Sequence, residues 1–418
     1  MNKTLFGAAA LTLTATTAIS GGIERSVIDY GLMFQPGTQM TLGHALVTPR
    51  VSGKYTAATG GGDTGNMANS YGTFSFAYKN DLSDKLAFGL YHNQPYGAGA
   101  SYTSGFYTGL SADWTSKQTA AVLKYKIGDR FSVFGGLRYV LSSADIVIPD
   151  QMIRASTAVR VAETQSQIQA GITQLQNAGA PATDPRLVTL QTQLAQTNAY
   201  GAAVAAAPAG SFQYTAQGEQ RGDWGFVVGA AYEIPDIALR VGLTWESKVT
   251  HKFDTTESLP FFGIPGNSET EVEMPQSVAL DFQTGIAEGT LLFGGVKWTE
   301  WSKWEVRTPG YESVTGTAVT GFANDVITYR VGLGKKFNDN YSAFAQIGYE
   351  ASDGEVASRL SPTDGRTSFG VGAQFTEGAH KLRIGMEYVK LGDAKDASGT
   401  KFEGNSAIGF GMAYTASF

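Results

Sequence analysis

The sequence predicts an all-β chain closed into a transmembrane antiparallel barrel of about 14 strands, and three observations carry that prediction. Apolar and polar residues alternate with period two along most of the chain. Short and long connections follow one another in turn. Glycine is abundant, with 52 among 418 residues, while charged residues make up only 16%, against ~7% and ~25% in ordinary soluble domains.

Composition also sets exclusions. The chain has no cysteine, which removes disulfides, thiolate metal sites and cysteine nucleophiles, and its four histidines (His44, His92, His251, His380) are scattered. A net charge of −6 argues against nucleic acid as a partner. Beyond the N-terminus no apolar run reaches the ~18 residues of a spanning helix, so a membrane form of this chain crosses with strands. The motifs G-x-S-x-G, H-E-x-x-H and the P-loop are absent; no enzyme activity and no cofactor are expected.

Residues 1–20 read as a secretory signal peptide, with Lys3 as the positive end and Ala18-Ile19-Ser20 as the cleavage site. Residues 21–39 precede the first strand. Because a barrel this wide has a lumen that must be filled, they are the expected plug or hatch, including Tyr30, Leu32, Phe34, Pro36 and Gly37. Residues 40–418 form the barrel.

Expected strands are 40–54, 70–80, 85–103, 116–127, 130–146, 222–234, 237–253, 276–286, 290–306, 325–337, 341–351, 367–376, 380–391 and 405–418. In the last, Ile408, Phe410, Met412 and Tyr414 share one face while Ala407, Gly409, Gly411 and Ala413 share the other. Strands of about ten residues with aromatics near their ends suit a bilayer and its interfaces better than a soluble sandwich. Short turns at 81–84, 128–129, 235–236, 287–289, 338–340 and 377–379 would lie on one side, with long loops on the other.

The third long connection, 147–222, carries helical stripes: Val161, Ile168, Ile172 and Leu175, then Leu187, Leu190 and Leu194 after Asp184-Pro185. It reads as a helical hairpin outside the membrane, serving its own packing or a ligand. The fourth, 254–275, holds the apolar cluster Leu259-Pro260-Phe261-Phe262-Gly263-Ile264, a binding surface or a loop contact. In the third strand, within Asn93-Gln94-Pro95-Tyr96-Gly97-Ala98-Gly99, Pro95, Gly97 and Gly99 predict a bulge or unpaired stretch, because proline lacks a ladder donor and glycine packs poorly.

The run Val296-Lys297-Trp298-Thr299-Glu300-Trp301-Ser302-Lys303-Trp304 resembles the W-T-x-W-S-x-[FW] segment of the FadL family of outer-membrane transporters. Gly222-Asp223-Trp224-Gly225-Phe226, Ala231-Tyr232-Glu233 and Leu243-Thr244-Trp245-Glu246-Ser247-Lys248-Val249 resemble its sixth and seventh strands in order, and Asp129-Arg130-Phe131-Ser132-Val133 its fifth. The resemblance implies a 14-stranded barrel with an internal hatch and a kinked third strand that opens the wall sideways. It implies passive uptake of a long-chain fatty acid or other apolar small molecule by a monomer in outer-membrane lipid.

The implied groove lies between the third and fourth long loops, with Ile168, Ile172, Leu175, Leu259, Phe261, Phe262 and Ile264 as candidates. Arg138, Arg240, Arg330 and Arg383 either meet a carboxylate or pair with lumen acids such as Glu246, Glu350 and Glu387. The family's Asn-Pro-Ala hatch string is replaced here by Phe34-Gln35-Pro36-Gly37. Neutral hydrocarbons are the alternative ligands, and a general porin or an adhesin the alternative functions.

Overall fold

A computed structural model describes residues 22–418; the expected signal peptide lies outside the described residues. Fourteen antiparallel strands close into a barrel. They are β1 (Gln39–Arg50), β2 (Tyr71–Asp81), β3 (Leu86–Asn93 and Gly97–Ser101), β4 (Ser111–Ile127), β5 (Phe131–Ile148), β6 (Tyr214–Ile234) and β7 (Leu239–Glu246 and Val249–Leu259). The second half holds β8 (Ile264–Met274 and Ser277–Ala287), β9 (Thr290–Thr299), β10 (Val326–Lys336), β11 (Tyr341–Glu350), β12 (Arg366–Glu377), β13 (His380–Leu391) and β14 (Ser406–Ser417). Closure is the β1–β14 ladder, from Gln39 opposite Ser417 to Arg50 opposite Ser406.

Alternation places the side chains as lipid requires. Ile408, Phe410, Met412 and Tyr414 point outward and exposed, while Ala407 on the other face is buried. Outward aromatics pair near both ends of the wall, as interfacial girdles do: Tyr341 with Phe375 at 5.2 Å and Phe131 with Tyr232 at 4.8 Å toward the short turns, and Tyr139 with Trp224 at 4.9 Å toward the long loops. The helical hairpin is α1 (Asp150–Asn177) and α2 (Pro185–Ala206), with Asp184 capping α2 by accepting from Arg186 N at 2.9 Å.

The outer half departs from the expected boundaries. The stretch 254–275 is not a loop: Val249–Leu259 and Ile264–Met274 form a hairpin turned by Pro260–Phe262. β6 begins at Tyr214, so the helical connection is shorter than 147–222, whereas β9 stops at Thr299. β7 and β8 are interrupted at one level, at Ser247-Lys248 and Pro275-Gln276, yet keep one register, with Glu246 opposite Ser277 and Val249 opposite Met274. Across the interruption the buried face changes: Thr244 is buried below it, but Val249, His251 and Phe253 above it, and Ser277 below but Met274 and Val272 above.

Candidate functional site

The wall has a gap between β2 and β3. β3 pairs with β2 only from Ala87 to His92. Its second piece pairs with β4 and, through the Ala68–Ala100 bridge, with the segment just before β2, where Asn69 N donates to Gly99 O at 3.0 Å and Ser101 N to Met67 O at 2.8 Å; Gln94-Pro95-Tyr96 lie outside the wall ladders. Pro95 explains the break, having no N–H to give. The orphaned backbone groups find other partners. Gln94 Oε1 accepts from Phe74 N at 3.0 Å, and Tyr96 N donates to Ser116 Oγ at 2.8 Å.

The N-terminal segment fills the remaining positions. Arg25 N donates to Pro95 O at 2.7 Å and Gly97 N to Ile23 O at 2.8 Å. Ser26 Oγ donates to Gln94 O at 2.7 Å, and Asn93 Nδ2 to Ser26 Oγ at 3.1 Å. Asn93, Pro95, Tyr96 and Gly97 are thus brought together, and their hatch partners are Ile23 to Ser26 rather than residues 30–37.

Those later hatch residues sit deeper. Asp29 caps a 3-10 turn, Tyr30–Phe34, by accepting from Gly31 N at 2.8 Å. Met33, fully buried, enters a cluster of Ala87, Tyr91, Ala120, Val122, Phe134 and Val227, with Tyr30, Leu32 and Phe34 packed around it. Phe134 can lie there because Gly229 leaves room: a Cβ on Gly229 would fall 2.1 Å from the ring. Tyr30 and Phe34 meet that ring at 5.8 Å and 6.2 Å. At the inner mouth, buried Lys79 donates to Gln35 O and Gly37 O at 2.7 Å and 2.8 Å, and Gly37 turns with φ 71° next to Pro36.

Several charges in the lumen pair across large sequence separations. Arg138 pairs with Glu246, which also accepts from Tyr30 Oη at 2.7 Å, and Lys297 pairs with Glu24 of the hatch. Arg330 stands 3.5 Å from Asp281 and Arg366 3.3 Å from Glu350. Arg240 lies over the Phe34 ring at 5.1 Å, and Arg383 donates to Gln374 Oε1 at 3.1 Å. Glu24, Lys79 and Lys297 escape sequence reasoning, since each is a single charge in an alternating strand or an irregular segment. Cavities of 180 Å³ and 120 Å³ flank the hatch, and Val27, Ile28, Asp29 and Gly31 line both.

Above the hatch an apolar cluster fills the outer mouth. Trp301, from the W-T-x-W run, packs edge-on to Tyr96 at 6.0 Å and occupies the space a Cβ on Gly22 would need. Trp304 joins Trp301 to Trp114 at 6.2 Å and 5.9 Å, and Trp114 meets Phe253 at 5.5 Å. At the far edge Leu259 is buried, Phe261 stacks on Phe212 at 4.1 Å, and Phe262 and Ile264 pack alongside. Ile168, Ile172 and Leu175 are not among these residues; they belong to the part of α1 near Gly171, which faces Leu190 of α2.

Three comparisons bear on this arrangement. The family described as outer membrane protein transport protein (OMPP1/FadL/TodX) matches residues 31–418. No curated protein matches the chain. Among solved structures, a Pseudomonas aeruginosa FadL homologue is 15% identical with a TM-score of 0.63, covering 93% of this chain and 92% of its own. The P. putida toluene transporter TodX is 15% identical with a TM-score of 0.61 over 93% and 92%. The CymD monoaromatic hydrocarbon channel is 14% identical with a TM-score of 0.53 over 93% and 90%. At these identities the structural likeness speaks to the fold; the family match spans nearly the whole chain, and with it this protein belongs to the OMPP1/FadL/TodX family of outer-membrane transporters, which are channels and not enzymes.

Proposed function

We propose that the chain passes long-chain fatty acids or similar apolar molecules through the outer membrane of a Gram-negative cell by passive diffusion. The ligand is first held among the outer-loop aromatics around Phe261 and Phe262, then released as the hatch moves, and it exits sideways through the gap at Pro95. The observation that carries this reading is the break in the wall between β2 and β3 at Gln94-Pro95-Tyr96, bounded on the outer side by the Ala68–Ala100 bridge and filled by residues 23–26 and side-chain caps. A route through an apolar cluster suits a ligand whose burial is favourable by ~25 cal/mol per Å². The likeness in fold to the toluene transporter TodX and the CymD monoaromatic hydrocarbon channel supports the alternative of a neutral hydrocarbon as ligand.

The chain's lack of cysteine makes the test clean. In a Ser26→Cys/Asn93→Cys protein, where the wild-type side chains meet at 3.1 Å, oxidation staples the hatch to the gap. Labelled oleate uptake by cells lacking their own transporter should stop on oxidation and return on reduction. Equal uptake in both states, with the cross-link verified, removes the hatch-gated route.

A further inference from the structure

We propose that Arg25 is an anion-recognition residue set in the wall gap, taking the carboxylate of a single-chain amphiphile as it leaves the barrel. This inference rests on the proposed lateral route and names the chemistry its exit selects. Arg25 is fixed by its own backbone, whose N–H donates to Pro95 O at 2.7 Å. Its guanidinium carbon stands 4.2 Å from the centre of the Tyr71 ring of β2. On the other side, a Cβ on Gly97 of β3 would fall 2.5 Å from Cζ, Nε and Nη1. The guanidinium therefore occupies the space between the two strands that fail to pair.

Its aspect is outward. Gly97 lies opposite Thr115 in the β3–β4 ladder, and Thr115 is exposed while its neighbours Trp114 and Ser116 are buried inside. The charge also differs from the paired lumen cations. Arg138, Lys297 and Arg366 each have a carboxylate partner. Among the described residues no carboxylate lies within ion-pair distance of Arg25, Asp113 of β4 acting on it only from farther away, and its buried Nε, like that of Arg138, has no hydrogen-bond partner. An aromatic face compensates a guanidinium only in part, whereas a carboxylate offers two acceptors matched to its fork.

Next to the guanidinium is a cavity of 60 Å³, lined by the apolar Ile23, Val51, Met67 and Leu360 together with the polar Glu24 and Asn69. It has room for about four water-sized groups, and so for a few methylenes. An oxyanion next to a short apolar slot describes the head and first carbons of a fatty acid. A lipid phosphate of the surrounding leaflet offers the same oxyanion chemistry, and the experiment separates the two.

Uptake of labelled oleate and labelled oleyl alcohol is compared in cells expressing the full chain as wild type, Arg25→Gln or Arg25→Lys. Arg25→Gln should lower oleate uptake about tenfold while leaving the alcohol within about twofold, and Arg25→Lys should recover part of the loss. An equal change for both ligands overturns the proposal, because a hatch seal or a phosphate anchor acts without regard to the cargo's head group. Wild-type uptake of neither ligand defeats the transport reading instead. The site is then read directly, from quenching of tryptophan fluorescence in the purified protein by 16-doxyl-stearate and by its methyl ester. A preference for the acid that falls about tenfold in Arg25→Gln supports the site; the same preference in both proteins overturns it.

Discussion

Met33 holds the hatch in place, and its truncation has a calculable outcome. The side chain is fully buried among Tyr91, Phe134 and Val122, with its sulfur seated over Gly89. Met33→Ala removes three heavy atoms beyond Cβ. At ~0.8 kcal/mol for each of the three buried methylene-sized groups, plus a cavity contribution of about 0.6 kcal/mol, the loss is about 3 kcal/mol. No ladder hydrogen bond of the wall involves this side chain, so the cost falls on hatch docking and not on the barrel. About 3 kcal/mol corresponds to on the order of a hundredfold more undocked hatch, each 1.4 kcal/mol being a factor of ten.

Amide exchange reads this directly. Residues 30–35 should exchange on the order of a hundredfold faster in Met33→Ala, while β12 and β13 keep wild-type protection, and bilayer recordings should show more frequent ion-conducting openings. Unchanged exchange at 30–35, or acceleration spread through the strands, would refute the reasoning that the hatch docks as a separate unit.

Two further outcomes follow from the outer half. Phe261→Ala/Phe262→Ala removes the ring stacked on Phe212 and should lower saturable oleate uptake at normal surface expression; unchanged uptake would place ligand entry elsewhere. Asp184 is held down to about 2 by the Arg186 side chain and backbone N–H that it accepts from. A depressed folded value means its capping contribution is complete above the ordinary carboxylate value of 3.8 and fades as pH falls through about 2. Amide protection at the start of α2 should therefore hold from pH 7 to 4 and drop between 4 and 2, and in Asp184→Ala it should be low throughout, without that transition.

The barrel was legible because lipid on one side and a polar lumen on the other impose a strict two-residue period, as in Ile408 to Tyr414. The break at Pro95 was legible for the same reason, since a missing donor shows in one residue. The hatch was not. Ile23 to Ser26 pair with β3 through backbone groups, which carry no side-chain pattern, and the ion pair of Glu24 with Lys297 joins residues too far apart in sequence to suggest each other. The hairpin tipped by Pro260–Phe262 resembled a loop because its exposed face, Lys252, Asp254 and Glu271 included, is as polar as one. The stripe of Ile168, Ile172 and Leu175 showed helicity correctly but not its partner, for an apolar face facing another helix looks like one awaiting a ligand.

The face change shared by β7 and β8 constrains how this chain can evolve. Because both strands switch the buried side at the same level while keeping one register, deleting Ser247 alone would carry Val249, His251, Phe253 and Leu259 to the wrong side and slip every pair up to the tip. A length change tolerated in one strand must be matched in the other, at Pro275 or Gln276. Homologous chains should therefore gain or lose residues here in pairs, whereas the outer part of the α1–α2 hairpin, around Gly171 and Leu190, can vary in length alone.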